Sequence, residues 1–310
     1  MGVSRPRVTA IITAYRPTPA VLDVIESLRP QVTSVIVVDD GSGPTSEATL
    51  RRAEEHGATV LRMGENSGIA AALNAGIRAA TAADADFVVT FDQDSVPGRD
   101  FIDSLLDAHD AAVRSGRIPG PVVPEYFADV SQVHHRAADG TLIGRHAIQS
   151  GMLLAADVFD TVGVMREDFF IDLVDTEFEM RCAAAGLPTV AAPGLRMGHS
   201  LGRRYRRPIP LPGLPPLVTL STPFRYYYRV RNRIVLNRTY WRSHAAWILR
   251  DTLLEVVHFV NALALARPRR SLWAVYSAAV SDARRMRMGP MPAAIRTLAS
   301  KISWAAAPSE

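Results

Sequence analysis

Asp92, Gln93 and Asp94 directly follow the apolar run Val88-Val89-Thr90-Phe91 and precede Ser95. Two carboxylates one residue apart offer hard oxygen ligands of the kind Mg²⁺ and Mn²⁺ take, and a metal held there would offset the charge of a diphosphate. An acidic loop capping the next helix would give the same residues. The preceding run decides where they stand. It is apolar and rich in β-branched residues, the pattern of a buried strand. In an open α/β sheet, ligands bind beyond the carboxyl ends of strands.

The elements needed to build that sheet follow from the N-terminus. Val8 to Tyr15, Val35 to Asp40, Thr59 to Met63 and Phe87 to Phe91 read as strands. Helices are expected between them, from about Ala20 to Leu28, Ser46 to His56 and Ile69 to Ala82, with Pro19 at the start of the first and Gly57 stopping the second. Strand-helix alternation with strands apolar on both faces predicts a mainly parallel sheet flanked by helices. Each strand ends in polar residues. Tyr15 could stack on a base, and Asp39 or Asp40 could accept a pyrimidine imide N–H. Asn66-Ser67-Gly68 opens the third helix, and Asn74 lies one to two turns inside it. An ordinary turn at Asp40-Gly41 and an ordinary cap at Asn66 or Ser67 are the alternatives. Together the strand ends suit a mononucleotide site.

The order Thr13-Ala14-Tyr15, Asp39-Asp40-Gly41-Ser42, Asn66-Ser67-Gly68 with Asn74, then Phe91-Asp92-Gln93-Asp94-Ser95 resembles family 2 inverting glycosyltransferases of the GT-A fold. The wording of the last two motifs, and Tyr-Tyr-x-x-Arg-Asn at Tyr227 to Asn232, is similar to the rhamnosyltransferase branch. The resemblance spans roughly Val8 to Asn237. It implies a nucleotide-sugar donor, dTDP-L-rhamnose first and UDP-galactofuranose as an alternative. It implies donor contacts at Thr13, Ala14, Tyr15, Asp40, Asn66, Gly68, Asn74, Asp92 and Gln93. Asp40 would read the base, Asp92 would lie near the ribose and sugar, and Asp94 would hold Mg²⁺ or Mn²⁺.

In the second half, Asp100 to Arg114 reads as a helix, and Asp139-Gly140 as a hairpin turn within Gln132 to Gly144. The adjacent His134 and His135 should point to opposite faces of a strand, which argues against a shared metal. Gln149 to Leu154 reads as a strand, whose Ser150 and Gly151 would face sugar and acceptor by the resemblance. Asp175 reads as the N-cap of a helix reaching Ala185. A carboxylate at a helix start after Phe169-Phe170 also suits a general base. The resemblance gives that role to Asp175, with Asp172 as the other candidate and Glu177 on the acceptor side. Pro188 to Ala192 reads as a last short strand. By the resemblance, His199 beyond it would complete the metal shell of Asp94.

Arg203 to Arg207 precedes a Pro-rich stretch with no packing logic of its own, a lid or a linker. Arg203, Arg204 and Arg231 could clamp diphosphate or meet lipid headgroups. The Arg and Tyr interleaved over 224–233 would also fit nucleic acid, but the catalytic rim already accounts for the chain, so no nucleic-acid partner is expected. From Ala245 to Ala266 the chain is apolar apart from a few residues, and Asp251, Glu255, His258 and Ala262 form one narrow stripe at helical spacing. A buried helix and a helix lying in a membrane plane both fit.

Composition sets the outer limits. The 310 residues, 48% hydrophobic and 21% charged, are those of a globular chain, with a net charge of +4 and basic residues mostly in the second half. Lys301 is the one lysine, as a GC-rich genome would produce. A single cysteine, Cys182, excludes an intramolecular disulfide and fits a reducing cytoplasm. No N-terminal signal segment and no run of about 18 apolar residues is evident. The expected layout is a GT-A catalytic domain over 1–220, with a nucleotide-sugar half at 1–98 and an acceptor half at 99–220. A helical region over 221–310 would bind the inner face of the plasma membrane. The expected acceptor is a saccharide, carried on a polyprenyl lipid. Two rivals are a haloacid-dehalogenase-like phosphatase, which would place Asp92-x-Asp94 after its first strand, and a non-catalytic membrane-bound sugar binder.

Overall fold

β-Branched runs bounded by turn residues become strands, and Ala- and Leu-rich runs between them become helices. The computed structural model describes residues 5–198, 203–207 and 216–305. The chain divides into two compact units: Met1–Glu167 with Val174–His199, and Asp168–Leu173 with Ser200–Glu310.

The first unit begins β1 (Val8–Ala14), α1 (Ala20–Leu28), β2 (Ser34–Asp39), α2 (Glu47–Glu55), β3 (Thr59–Arg62), α3 (Ile69–Ala82) and β4 (Phe87–Asp92). It continues α4 (Phe101–Arg114), β5 (Val122–Phe127), β6 (Val130–Ser131), β7 (Val133–Arg136), β8 (Leu142–Gly144) and β9 (Met152–Ala155). It ends with α5 (Ala156–Val162), α6 (Val174–Ala184) and β10 (Val190–Met197). Its strands form one sheet in the order β3-β2-β1-β4-β9-β5-β10-β8-β7, with β6 on β5. β3, β2, β1 and β4 are parallel neighbours, as are β5 and β10; β9 runs against both β4 and β5. The carboxyl ends of β1, β2, β4, β5 and β10 therefore share one rim, and the turn before β9 joins them there.

Two local readings are corrected. β10 runs to Met197 rather than stopping at Ala192, because a register shift between Ala192 and Arg196 absorbs Pro193 and Gly194. His134 and His135 do not diverge: a bulge between Val133 and His135 brings their rings to 5.1 Å, edge to face.

The second unit holds β11 (Arg203–Arg206), β12 (Leu217–Leu220), α7 (Arg225–Leu265), β13 (Ala266–Arg267), α8 (Arg269–Arg284), α9 (Ala293–Ala299) and β14 (Ser303–Trp304). The basic run does have packing logic: β11 pairs with β12, burying Tyr205 while Arg204 and Arg206 face out. The prolines at 208, 210, 212 and 215 lie outside the described residues. α7 is not one rod. His244 is non-helical (φ −135°, ψ 35°), and the two arms fold back on each other. Arg233 reaches Glu255 at 2.7 Å, Asn237 donates to Thr252 at 2.8 Å, and the Tyr226 hydroxyl lies 3.1 Å from His258 Nε2. The stripe Asp251-Glu255-His258 thus faces inward. Burial, helped by the Arg229 charge, pushes the His258 imidazole down to about 3, so it stays neutral.

Arg231, expected on the surface as a clamp, is 0% exposed. Its guanidinium donates to the carbonyls of Gly289 (2.5 Å), Asp168 (3.2 Å) and Phe169 (3.1 Å). The rings of Tyr227 and Tyr228 lie 5.4 and 5.2 Å from it. Asn232 donates to the carbonyls of Phe169, Ile171 and Asp172 at 2.8–3.0 Å. These two side chains hold the segment 168–173, where Phe170, Asp172 and Leu173 all have left-handed backbone (φ +66°, +65° and +62°). Replacing Arg231 with Met would leave three carbonyls without that donor. We expect a loss of about 3 kcal/mol in chemical denaturation, whereas Arg238→Met on the exposed surface should change stability by less than about 0.5 kcal/mol. Equal stability of the two variants would show that the buried guanidinium is dispensable.

Candidate active site

The rim is assembled by register. Thr13 of β1 stands level with Val38 of β2 and Asp92 of β4, and Ala14 stands level with Asp39. Asp39, Asp40, Tyr15 and the Asp92-to-Asp94 turn are therefore neighbours at the ends of three adjacent strands. The motif ends the fourth strand, not the first, which removes the phosphatase reading. Tyr15 is 42% exposed, and its N–H donates to Gln93 Oε1 at 2.9 Å. Asp92 is half-buried and Asp94 is exposed.

Side chains bonded to backbone hold the loops in place. Both oxygens of Asp40 accept backbone N–H groups, from Ser67 at 2.7 Å and Gly68 at 3.0 Å. Burial nevertheless raises its pKa above the ordinary carboxylate value, against those two bonds. Asp40 thus orders the Asn66-Ser67-Gly68 loop ahead of α3. Next to it, Gly41 has φ +67°, and a Cβ there would come within 2.3 Å of the Glu65 carbonyl carbon and 2.6 Å of Asn66 N. Only glycine lets these two loops meet.

Several expected ligand contacts prove to be braces. Asn74 is 0% exposed; its amide donates to Met165 O and to Glu167, and its oxygen accepts the Met165 N–H, each at 2.9 Å. Ser150 is fully buried, and its Oγ accepts the Asp92 N–H at 3.0 Å, so it supports the motif from behind. Gly151, at φ +83°, closes the same turn against Phe101 and Met197. Glu177 is buried against Arg181, both oxygens 3.0 Å from its Nε. Arg181 also donates to the carbonyls of Val162 and Val164. In the second unit, Arg225 grips the carboxylate of Asp172 at 2.6 Å.

Asp175 is half-buried in the first turn of α6. It is not the cap, because the helix begins one residue earlier, at Val174; its Oδ1 accepts the Thr176 N–H at 2.8 Å. One turn on, Glu179 ties the helix to the segments that precede β9 and β10. Glu179 Oε2 accepts the N–H groups of His146 (3.0 Å) and Ala147 (3.2 Å), and Oε1 accepts the Thr189 hydroxyl at 3.0 Å. The braced loop segment leads within two residues to Gln149.

Gln149 was not singled out from sequence. Its Nε2 donates to Asp92 Oδ1, and its Oε1 is buried with no hydrogen-bond partner. The signal available was its place directly before Ser150-Gly151, within a stretch otherwise read as an apolar strand. His199, the expected second metal ligand, lies outside the described residues, as does the side chain of Arg203. Among the described residues, no group of three or more His, Cys, Asp or Glu converges as a metal cage. The exposed Asp94 still suits Mg²⁺, which is commonly held by one or two carboxylates together with substrate phosphates.

Glu179 also gives the fold a pH signature. Burial pushes its carboxyl up to about 7, above its ordinary value. Between about pH 4.5 and 7 the folded chain then binds a proton that the unfolded chain has released, so stability falls as pH rises through this window. The slope contributed is at most about 1.4 kcal/mol per pH unit. Urea midpoints should decline over that range in the wild type and flatten in Glu179→Gln, which keeps an acceptor for the two N–H groups. An identical slope in both proteins would exclude Glu179 as the source.

The model of the family "Glycosyl transferase family 2" matches residues 9–172. The dTDP-rhamnosyl transferase RfbF of Shigella flexneri is 30% identical over 265 residues, covering 80% of this chain and 86% of that protein. Among solved structures, S. aureus TarS 1-349 in complex with UDP-GlcNAc superposes with a TM-score of 0.50 at 14% identity, over 74% of this chain and 66% of that one. The chain spans 40% of a longer TarS structure. That likeness concerns the fold alone and agrees with the GT-A arrangement of sheet and helices. By the family match, and by the RfbF likeness over most of both chains, the protein belongs to glycosyl transferase family 2.

Proposed function

We propose that this glycosyltransferase moves L-rhamnose from dTDP-L-rhamnose to a saccharide acceptor, carried on a polyprenyl lipid, with inversion at the anomeric carbon. The observation that carries the donor choice is the 30% identity to a dTDP-rhamnosyl transferase over most of both chains. The rim supports the chemistry. Tyr15 offers an exposed ring for the base, and the loops ordered by Asp40 and Gly41 surround the nucleotide. Asn66, Gly68, Asp92 and Gln93 line the donor side. Asp94, with His199, would hold Mg²⁺ or Mn²⁺, and such an ion would offset the charge of the leaving diphosphate.

Asp175 is the general base. It takes the proton of the acceptor hydroxyl as that oxygen bonds to the anomeric carbon, and the bond from that carbon to the β-phosphate oxygen of dTDP breaks on the opposite side. Asp172 is the weaker candidate for this role, since its carboxylate is already engaged by Arg225 at 2.6 Å. The work is done at the cytoplasmic face of a membrane in surface-polysaccharide synthesis.

Nucleotide release measured over a panel of donors, with an isoprenoid-linked saccharide as acceptor, tests this reading. dTDP-rhamnose should be turned over fastest. Asp175→Asn should lower kcat by roughly 10²-fold or more with little change in donor KM. Faster turnover of a UDP-sugar would overturn the donor assignment, and an unchanged kcat would remove Asp175 as the base.

A further inference from the structure

The second arm of α7 is built inside out relative to a helix in water. Its polar stripe, Asp251-Glu255-His258, is turned inward. Glu255 meets Arg229 and Arg233, His258 stacks on Tyr226 at 5.7 Å, and Asp251 accepts the Trp247 indole N–H at 2.8 Å. The opposite stripe, Leu249-Leu253-Val256-Val260, repeats at spacings of four, three and four residues. It faces out, from 47% exposed at Val260 to 59% at Leu253. Leu254 beside it is 44% exposed. The stripe runs for about 16 Å along the helix. Isolated exposed leucines need no account, but a continuous apolar stripe does.

The surrounding charge identifies what covers it. Between residues 203 and 305 the carboxylates are Asp251, Glu255 and Asp282, and each is buried or half-buried. Exposed arginines stand at both ends of the arm: Arg238 and Arg242 at the bend, Arg267, Arg269 and Arg270 beyond Leu265. Trp241 at the bend and Trp273 in α8 are exposed as well (50% and 62%). An apolar stripe edged by cations and indoles, with no exposed carboxylate nearby in sequence, is complementary to an anionic lipid surface. No described helix is long and apolar enough to cross a membrane, so the mode is lying on the surface.

We propose that the outer stripe of α7, Leu249-Leu253-Val256-Val260, seats in the interface of an anionic bilayer, with Arg242 and Arg270 at its two ends on the headgroups. This rests on the reading that the acceptor is carried at a membrane. It replaces the broader platform expected from sequence, since Tyr226 to Tyr228 and Arg231 to Arg233 are buried.

The test is flotation of the full chain with phosphatidylcholine vesicles, alone and with about one-third phosphatidylglycerol, at low and high salt. The wild type should float with anionic vesicles, and less so in high salt. Leu253→Gln with Val256→Gln, and separately Arg242→Gln with Arg270→Gln, should each weaken binding roughly ten-fold or more, with thermal midpoints unchanged because all four side chains are exposed. Equal recovery of the wild type in the vesicle-free fraction with and without anionic lipid would overturn the proposal. So would light scattering that shows a dimer dissolved by the leucine and valine substitutions, which would assign the stripe to a second copy of the chain. Binding is read without turnover, so failure here leaves the donor reading intact, and failure of the donor panel leaves this result standing.

Discussion

Side chains that bond backbone groups, placed where no regular ladder can reach, set the shape of this molecule. The carboxyl rim of a parallel sheet is made of loops, and loops have backbone groups with no strand partner. Here Asp40 takes the N–H groups of Ser67 and Gly68, and Ser150 takes that of Asp92; away from the rim, Glu179 does the same for His146 and Ala147 in the loop after β8. The second unit solves the mirror problem. Arg231 and Asn232 supply donors to the carbonyls of a segment whose left-handed residues cannot pair as helix or strand. Each such bond is modest in net terms, but an unmet buried group costs about 1–3 kcal/mol, so the set tolerates few losses.

This explains why many polar residues of the motifs are buried. Asn74, Ser150, Glu177, Arg231 and Asn232 act behind the surface, fixing loops and helix starts. The residues left at the rim surface are fewer: the exposed Tyr15 and Asp94 and the half-buried Asn66, Asp92 and Gln93. A motif in this chain is therefore a mixture of side chains available to a ligand and side chains that hold the first kind in register.

Much of the first unit was legible in the sequence. Strand runs, Gly57 as a stop and the helix from Ile69 to Ala82 all match, because local pattern and tertiary burial agree there. What escaped depended on distant partners. Nothing local distinguishes a clamp arginine from Arg231, whose acceptors are about 60 residues away in sequence; a burying environment made the choice. The bend at His244 carries no Gly or Pro to mark it, and the pairing of the two arms through Arg233-Glu255 and Asn237-Thr252 joins residues 15 to 22 positions apart. The polar stripe was seen, but which side faced water could not be read from periodicity alone. Pro193 and Gly194 looked like a strand end and turned out to be a bulge within β10.

On the proposed function, the rim at β1, β2 and β4 takes a nucleoside diphosphate together with a divalent ion at Asp94. Calorimetric titration of dTDP into the wild type and Asp94→Ala, each with Mn²⁺ and with excess EDTA, tests it most directly. Mn²⁺ should tighten dTDP binding roughly ten-fold or more in the wild type and have little effect in Asp94→Ala. Equal affinity of the wild type for dTDP in Mn²⁺ and in EDTA would contradict it.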